Sequence, residues 1–376
     1  MGNRFSKLDM GSRFSLLDMG NKLTLSVFSL SHLVVDCACF FVLMGAFFTG
    51  IGDLQTITIG FLLYTAIAFA LQVLIGYLAD RCSIPHGYFA VAGCCMVILG
   101  VILPVSPWTR LVLCALGNGF FHIGGGIDSL VDANGRFARS GIFISFGAIG
   151  VVVGTLLGKE ESLSPVLVSL LVSLVLFSCI VLMLKFCLQP KKPYEALFNH
   201  PPARVTLSEA VIYLCLLTII IRAVVGAYTP VPWKSSTFLF ILPALTVFAG
   251  KFAGGLLADR FGAKAVASVS LLISAPLLAF GNAQIVLCCI GLFLFNVTTA
   301  VTLCVVVSRL PQNPGLGFGL TTLALFIGTA FSYFFGMSEG VRPVLTLVAI
   351  AISVICIFLT TPGRTLSGKT TPNKLH

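Results

Sequence analysis

Long apolar runs separated by short polar segments dominate the chain of 376 residues. A helix needs about 20 predominantly apolar residues to cross the hydrocarbon core of a bilayer. Strands of an outer-membrane barrel would alternate apolar and polar residues, and these runs do not. The pattern therefore predicts twelve transmembrane helices, at residues 24–48, 54–79, 87–105, 109–130, 138–158, 163–187, 207–228, 236–257, 264–281, 284–308, 315–336 and 341–361.

Composition agrees with this pattern, since 57% of the residues are hydrophobic and only 10% are charged. The mean hydropathy is +1.05, and a soluble protein of this size needs many more charged residues on its surface. The net charge of +10 does not indicate nucleic-acid binding, because the Lys and Arg are scattered between apolar runs. The fold class predicted is an all-α polytopic membrane protein.

The distribution of Lys and Arg predicts the orientation. With the N-terminus in the cytoplasm, seventeen of these residues fall on the cytoplasmic side. Only four fall on the other side, Arg110, Lys159, Lys234 and Arg342. We therefore expect an integral protein of the plasma membrane, the bacterial inner membrane, with both termini in the cytoplasm.

A short charged motif occurs twice. "GYLADR" begins at Gly76 and "GLLADR" at Gly255, 179 positions later, and each ends the second span of a group of six. A polar, basic linker with four Pro separates the groups. The chain therefore reads as two pseudo-symmetric six-helix bundles, a known transporter plan, with domains at 1–23 (N-terminal tail), 24–188 (first bundle), 189–206 (cytoplasmic linker), 207–361 (second bundle) and 362–376 (C-terminal tail).

The tail at 1–23 has a small repeat of its own, "MGNRFSKLD" followed by "MGSRFSLLD". Its alternation of apolar and basic residues fits an amphipathic helix on the membrane surface. A solvated, partly disordered cytoplasmic tail is the other interpretation, and the preferred one. The opening "MGNRFS" also fits the N-myristoylation pattern.

The paired corners and the central linker resemble the major facilitator superfamily over residues 24–361. The resemblance implies that each corner acid docks on the start of a neighbouring helix and gates one side of the protein. The gating residues are then Gly76, Asp80, Arg81, Gly255, Asp259 and Arg260. The alternative is that these residues only mark the membrane interface.

Two further stretches bear on the resemblance. Gly141, Gly150, Gly154 and Gly158 match the glycine spacing of the superfamily's antiporter motif, although Thr155 stands where that motif has Pro. Close helix packing explains these glycines equally well. "SHLVVD" at 31–36 and "GNGFFH" at 117–122 are similar to stretches of the fosmidomycin-resistance group of bacterial efflux proteins.

Ionisable residues inside spans are costly and tend to face a cavity. Asp36 and His32 lie four residues apart and share one helix face, so we expect them to carry a coupling proton. A helix-to-helix hydrogen bond is the alternative role for His32. The expected cavity residues lie mainly on spans one, four, seven and ten, which line the central cavity in the superfamily: Asn118, His122, Asp128, Arg222, Lys251, Asn296 and Thr299.

Several of these residues keep two interpretations. Asp128 lies near the inner end of its span and could form an inner-gate ion pair. Arg222 could bind an anionic solute or neutralise Asp36. The long stem of Lys251 could reach the inner surface instead of the cavity.

These observations predict a secondary active transporter for a small organic solute, driven by the proton gradient without a cofactor, and an exporter by resemblance. Arg222 and Lys251 allow an anionic solute. We expect a monomer whose partners are the solute and the lipid bilayer, and no nucleic acid. The alternatives are a divalent metal exporter that uses His32, Asp36, Cys39 and His122, and a membrane-embedded enzyme or receptor, for which no catalytic motif is present.

Overall fold

A computed structural model describes residues 5–48, 53–131, 135–188 and 208–361, and every regular element in these ranges is a helix. The predicted linker at 189–206 and C-terminal tail at 362–376 lie outside the described residues. The twelve helical segments are α1 (Phe5–Val42, continued by a π-turn at Leu43–Phe47), α2 (Leu54–Arg81), α3 (Gly87–Ile102), α4 (Pro107–Val131), α5 (Phe137–Lys159), α6 (Pro165–Phe186), α7 (Ser208–Tyr228), α8 (Thr237–Phe261), α9 (Ala263–Phe280), α10 (Ile285–Ser308), α11 (Pro314–Phe334) and α12 (Arg342–Thr360).

Eleven of the described helices are long and apolar enough to cross a membrane, and α3 is a shorter apolar helix of 16 residues. Their ends fall within about four residues of the predicted spans, the uncertainty usual for boundaries, apart from the start of α1. The backbone is helical from Phe5, within the segment expected as a surface helix or a partly disordered tail. The chain is an all-helical integral membrane protein.

Side chains cap the starts of several helices, α2 and α6 among them. The Asp53 carboxylate accepts a hydrogen bond from the Thr56 amide at 2.7 Å at the start of α2. Hydrogen bonds from Thr56 hold the pKa of the Asp53 carboxyl below its usual range. At the start of α6 the Ser164 hydroxyl accepts from the Leu167 amide. Such caps satisfy backbone donors that a helix leaves unpaired.

Three irregularities interrupt the long helices. A π-helical turn ends α1 at Leu43–Phe47, and a second lies inside α2 at Ala66–Ala70. Helix α10 breaks between Asn296 and Thr299. Such interruptions free backbone groups and are common near functional sites.

Glycines of α5 bring it against α1. A Cβ atom at Gly150, Gly154 or Gly158 would collide with a backbone carbonyl of α1, at Leu33, Cys37 or Phe41 in that order. Gly141 instead faces α8, where a Cβ would lie 2.8 Å from the carbonyl of Lys251. The glycines that match the antiporter spacing therefore serve close helix packing, as small residues do in membrane bundles.

The C-terminal end of α3 is tied to α4. The Arg110 guanidinium donates hydrogen bonds to the carbonyls of Gly100 and Val101, both at 2.9 Å. These carbonyls belong to the last turn of α3, where a helix lacks partners for its backbone acceptors. Arg110 thus fixes the position at which this short helix ends.

Candidate functional site

Four buried polar side chains meet between α1 and α4. His32 and Asp36 lie one turn apart on α1, with His32 Nε2 3.3 Å from Asp36 Oδ2. Asn118 and His122 lie one turn apart on α4. Asn118 Nδ2 donates to Asp36 Oδ1 at 2.7 Å, and the Nε2 atoms of His122 and His32 lie 2.8 Å apart. We call these four residues the central cluster.

Backbone carbonyls determine which ring nitrogens carry hydrogen. His32 Nδ1 lies 2.8 Å from the carbonyl oxygen of Phe143, and His122 Nδ1 lies 2.9 Å from that of Asn118. A carbonyl only accepts, so both Nδ1 atoms donate and both neutral rings would present an Nε2 lone pair. Two lone pairs 2.8 Å apart repel each other. The geometry therefore requires one positive charge, a proton or another cation, between the two rings.

The surroundings of the cluster are small or aromatic. Gly147 of α5 makes room for it, since a Cβ there would lie 2.5 Å from both Asp36 Oδ2 and His32 Nε2. The rings of Phe121 and Phe143 flank His32, with centroids 6.0 and 4.8 Å from the imidazole centroid. Water is largely excluded, because each cluster residue is at most 8% exposed.

The second half of the chain places cations opposite this cluster. Arg222 of α7 donates to Thr302 Oγ1 of α10 at 3.2 Å. Lys251 of α8 lies within electrostatic range of both Arg222 and Asp36. Arg222 is thus held by a hydroxyl of its own half, and its pairing with Asp36 stays a prediction.

Charges in the middle of the spans do not balance. Asp36 is the only acid deep inside a predicted span, because Asp128 and Glu209 stand within three residues of a span end. Arg222 and Lys251 are two cations at that depth. An unneutralised charge in the membrane interior is unfavourable. The centre of the protein therefore favours an anion.

Three of the expected cavity residues lie elsewhere or bond within their own helix. Asp128 pairs with His86, its Oδ1 3.1 Å from the imidazole Nδ1, where α4 ends and α3 begins. Asp128 thus has a partner at this end of its helix, and the interpretation of the pair as an inner gate stays a prediction. Asn296 Nδ2 donates to Leu292 O at 2.9 Å, and Thr299 Oγ1 donates to Asn296 O.

Cys39, the fourth residue of the alternative metal set, lies beside the cluster and accepts a long hydrogen bond from Asn118 Nδ2 at 3.9 Å, but its sulfur is not one of the converging ligand atoms. Its thiol donates to the carbonyl of Cys114 at 3.4 Å. The remaining three residues of that set, His32, Asp36 and His122, do come together.

Sequence reasoning missed two residues that complete the site. Thr302, which holds Arg222, lies one turn after Thr298 on α10, and this spacing is the only signal for it. Gly147 precedes Gly150 by three positions and so shares its face of α5. Neither residue type is informative alone, because Thr and Gly are common in membrane helices.

The two corner acids make equivalent contacts across the halves. Asp80 at the end of α2 accepts from the amides of Gly315 and Leu316, the start of α11, at 2.8 and 2.9 Å. Asp259 at the end of α8 accepts from the amides of Phe137 and Ala138, the start of α5, at 2.8 and 2.9 Å. An anion at a helix N-terminus is stabilised by its free amides and by the helix dipole. We call these four hydrogen bonds the corner contacts.

The other corner residues have separate roles. Gly76 and Gly255 permit the approach, since a Cβ would collide with the carbonyl of Gly315 or of Phe137. Arg81 stacks on the Tyr77 ring at 3.4 Å, and Arg260 lies 5.3 Å from the Phe261 ring. Both arginines therefore contact an aromatic neighbour on their own helix.

The halves are closed at the corner end of the bundle. Described hydrogen bonds between them extend from the corner contacts to Thr322, whose hydroxyl donates to Phe69 O at 3.0 Å, about midway along α2. Helix α8 has four buried residues, all in its corner-side half: Gly250, Gly254, Gly255 and Ala258. Burial along α8 thus decreases away from the corners, and among the described residues no hydrogen bond joins the halves farther from the corners than that of Thr322.

Comparison with known proteins gives similarity of structure only. No protein-family model and no curated protein matches the chain. A single-residue variant of the Escherichia coli fucose:proton symporter FucP matches with a TM-score of 0.67 at 12% identity, over 91% of this chain and 98% of that one. FucP in an outward conformation matches with a TM-score of 0.60 at 14% identity, over 87% and 98%.

A third solved structure, a bacterial homologue of the iron transporter ferroportin in an outward-facing state, matches with a TM-score of 0.55 at 14% identity, over 89% of this chain and 98% of that one. The similarity to the fosmidomycin-resistance group stays a prediction. The twelve helices and these neighbours show that the chain has the major facilitator superfamily fold.

Proposed function

We propose that the protein is a secondary active transporter that moves a small anionic organic solute by alternating access, coupled to protons through the central cluster. It acts as a monomer in the bacterial inner membrane with both termini in the cytoplasm. Export is the direction that the sequence resemblance implies. The fold and the solved transporters that share it support the transporter class.

The single observation that carries the coupling proposal is the pair of imidazoles facing each other beside Asp36. His32 and His122 require one cation between their Nε2 atoms, and Asp36 compensates its charge. A proton is the smallest cation that satisfies this geometry. The cluster lies in the first half, and Lys251 of the second half is within electrostatic range of its Asp36, so we expect its surroundings to change when the halves rock.

The cations of the second half supply the solute site. Arg222 and Lys251 carry two positive charges against the single charge of Asp36, so a bound anion lowers the electrostatic cost of closing the cavity.

The corner contacts provide the gate. If the corner end faces the cytoplasm, as the Lys and Arg distribution predicts, the structure is closed to the cytoplasm. Opening toward the cytoplasm requires breaking the four corner hydrogen bonds and separating α2 from α11 and α5 from α8. Two inter-half contacts of equal geometry let the halves rotate as rigid bodies, as alternating access requires.

The test is solute-dependent proton movement in proteoliposomes. Anions that raise the Tm of the purified protein, chosen from phosphate, phosphonates and carboxylates, are added across a pH gradient while an internal dye reports pH. We expect Asp36→Asn to abolish coupled flux while the protein stays folded. Asp53→Asn is the matched control, because Asn caps a helix as well as Asp does. Normal coupled flux in folded Asp36→Asn would remove the cluster from the mechanism.

A further inference from the structure

Three ligand-type atoms converge inside the central cluster. His32 Nε2, His122 Nε2 and an Asp36 carboxylate oxygen lie within 4.8 Å of one another, and all three residues are buried. Imidazole nitrogen and carboxylate oxygen are usual ligands of zinc and of neighbouring first-row transition metals. A metal ion needs such atoms gathered around one point, and here two imidazole nitrogens and a carboxylate oxygen are gathered in one buried space.

Each of these side chains is also oriented by a second hydrogen bond. The Nδ1 atoms of His32 and His122 donate to the carbonyls of Phe143 and Asn118. The Asn118 amide donates to the other oxygen of Asp36. Metal-ligating imidazoles almost always donate their second nitrogen to a carbonyl or carboxylate, which directs the free lone pair at the metal. All three residues have this outer support.

Two of the three ligand–ligand distances can be compared with those of a tetrahedral site. Ligands about 2.0–2.1 Å from a zinc ion lie about 3.3 Å apart. His32 Nε2 and Asp36 Oδ2 are 3.3 Å apart, while the two Nε2 atoms are 2.8 Å apart. Metal binding therefore requires the two rings to separate by about 0.5 Å, a small side-chain movement.

We propose that the central cluster binds one divalent transition-metal ion, of the Zn²⁺ and Co²⁺ class, in place of the cation shared by the two imidazoles. His32, His122 and Asp36 are the ligands, and a water or solute atom completes the coordination. Mg²⁺ and Ca²⁺ are poor occupants, because they prefer several oxygen ligands and the cluster offers one carboxylate. As a consequence that rests on the proposed function, the bound metal excludes the coupling proton and inhibits coupled flux.

Cobalt(II) absorption tests the site directly on the purified full-length protein. We expect Co²⁺ to give visible ligand-field bands that saturate at one ion per chain, that Zn²⁺ abolishes, and that excess Mg²⁺ leaves unchanged. His122→Ala and Asp36→Ala should weaken Co²⁺ binding by at least about 100-fold, since losing only an outer-shell partner already costs 10–100-fold. His86→Ala is the matched control, a buried histidine outside the cluster.

A variant that gains a spectroscopic signal tests the site even if the alanine variants fail to fold. His122→Cys places a thiolate in the ligand set, and Co²⁺ should then give the strong near-ultraviolet sulfur charge-transfer band that the wild type lacks. Cys39→Ser should leave the wild-type spectrum unchanged, because the Cys39 sulfur is not one of the three converging ligand atoms and its thiol donates to Cys114 O.

Absence of ligand-field bands in the wild type, bands that persist in folded His122→Ala, or no sulfur band in folded His122→Cys would each overturn the metal site. The proposed transport function is tested separately, because coupled flux is measured in chelator-treated vesicles. Loss of Co²⁺ binding with intact flux defeats only the metal site, and intact Co²⁺ binding without flux defeats only the transport proposal.

Discussion

The corner contacts and the central side chains differ in how far they are repeated between the two halves. Asp80 and Asp259, 179 positions apart, accept hydrogen bonds of the same lengths, 2.8 and 2.9 Å, from the first amides of a helix in the other half. Eight residues before these acids, on the same two helices, the repeat is lost: Gln72 in the first half corresponds to Lys251 in the second. The Gln72 amide donates within its own helix to Ala68 O, whereas Lys251 interacts with charges of both halves.

This difference separates two demands on the sequence. Closing one end of the bundle needs two matching contacts, so the same Gly and Asp pattern serves both halves. Binding a proton and an anion needs opposite charges facing each other, so the first half carries Asp36 with two imidazoles and the second carries Arg222 and Lys251. The corner contacts are therefore repeated in both halves, whereas the charged residues at the centre are not.

Removing both corner acids should weaken the contacts that the two halves share and give the largest effect. Asp80→Ala and Asp259→Ala each delete two hydrogen bonds to a charged acceptor, which we expect to weaken the closed corner end by about 2 kcal/mol per corner. The double variant should show roughly twice that effect. Hydrogen exchange of the first amides of α5 and α11 measures this weakening, and we expect it to become faster.

The controls are Arg81→Gln and Arg260→Gln, which leave the corner hydrogen bonds in place and should alter exchange much less. If one single variant opens the corner end as fully as the double variant, the two contacts are not equivalent. Unchanged exchange in the double variant would show that the corner acids do not hold the halves together.

Filling the space beside the central cluster should disturb the residues that the two halves do not share. Gly147→Ala adds a methyl group 2.5 Å from Asp36 Oδ2 and His32 Nε2, so the ion pair must move. We expect coupled flux to fall by at least about 10-fold, since catalytic and binding groups tolerate displacements of well under 1 Å. Gly226→Ala is the matched control, because nothing lies within 4 Å of a Cβ there. Equal flux in both variants would contradict the role of the cluster.

The smallest effect is expected in the second half. Thr302→Val removes the hydroxyl that accepts from Arg222, and a hydrogen bond of this kind contributes about 1 kcal/mol. The KM for the anionic solute should rise about 5-fold while kcat changes little. Thr329→Val, whose hydroxyl bonds within its own helix, is the control. A lower kcat at unchanged KM would mean that Thr302 acts in the conformational step instead.

The sequence was sufficient for features that depend on local spacing. Span positions follow from apolar run length, and the pairing of His32 with Asp36 follows from helix periodicity. Asp128 was harder to place, because its partner His86 lies on another helix and an acid near a span end fits both a gate and a cavity. The contact between Asn118 and Asp36 joins residues 82 positions apart. Such contacts depend on how α4 rotates against α1, which hydropathy does not specify.

The shortness of α3 links the protein to its surroundings. Sixteen residues rise about 24 Å, several ångströms less than the ~30 Å hydrocarbon thickness of an average bilayer. Arg110 holds the last turn of this helix in place, so the helix cannot lengthen to match the lipid. Mismatch of this kind makes a membrane thin or a helix tilt. The acyl-chain length of the surrounding lipid should therefore act on the bundle half that contains His32 and His122.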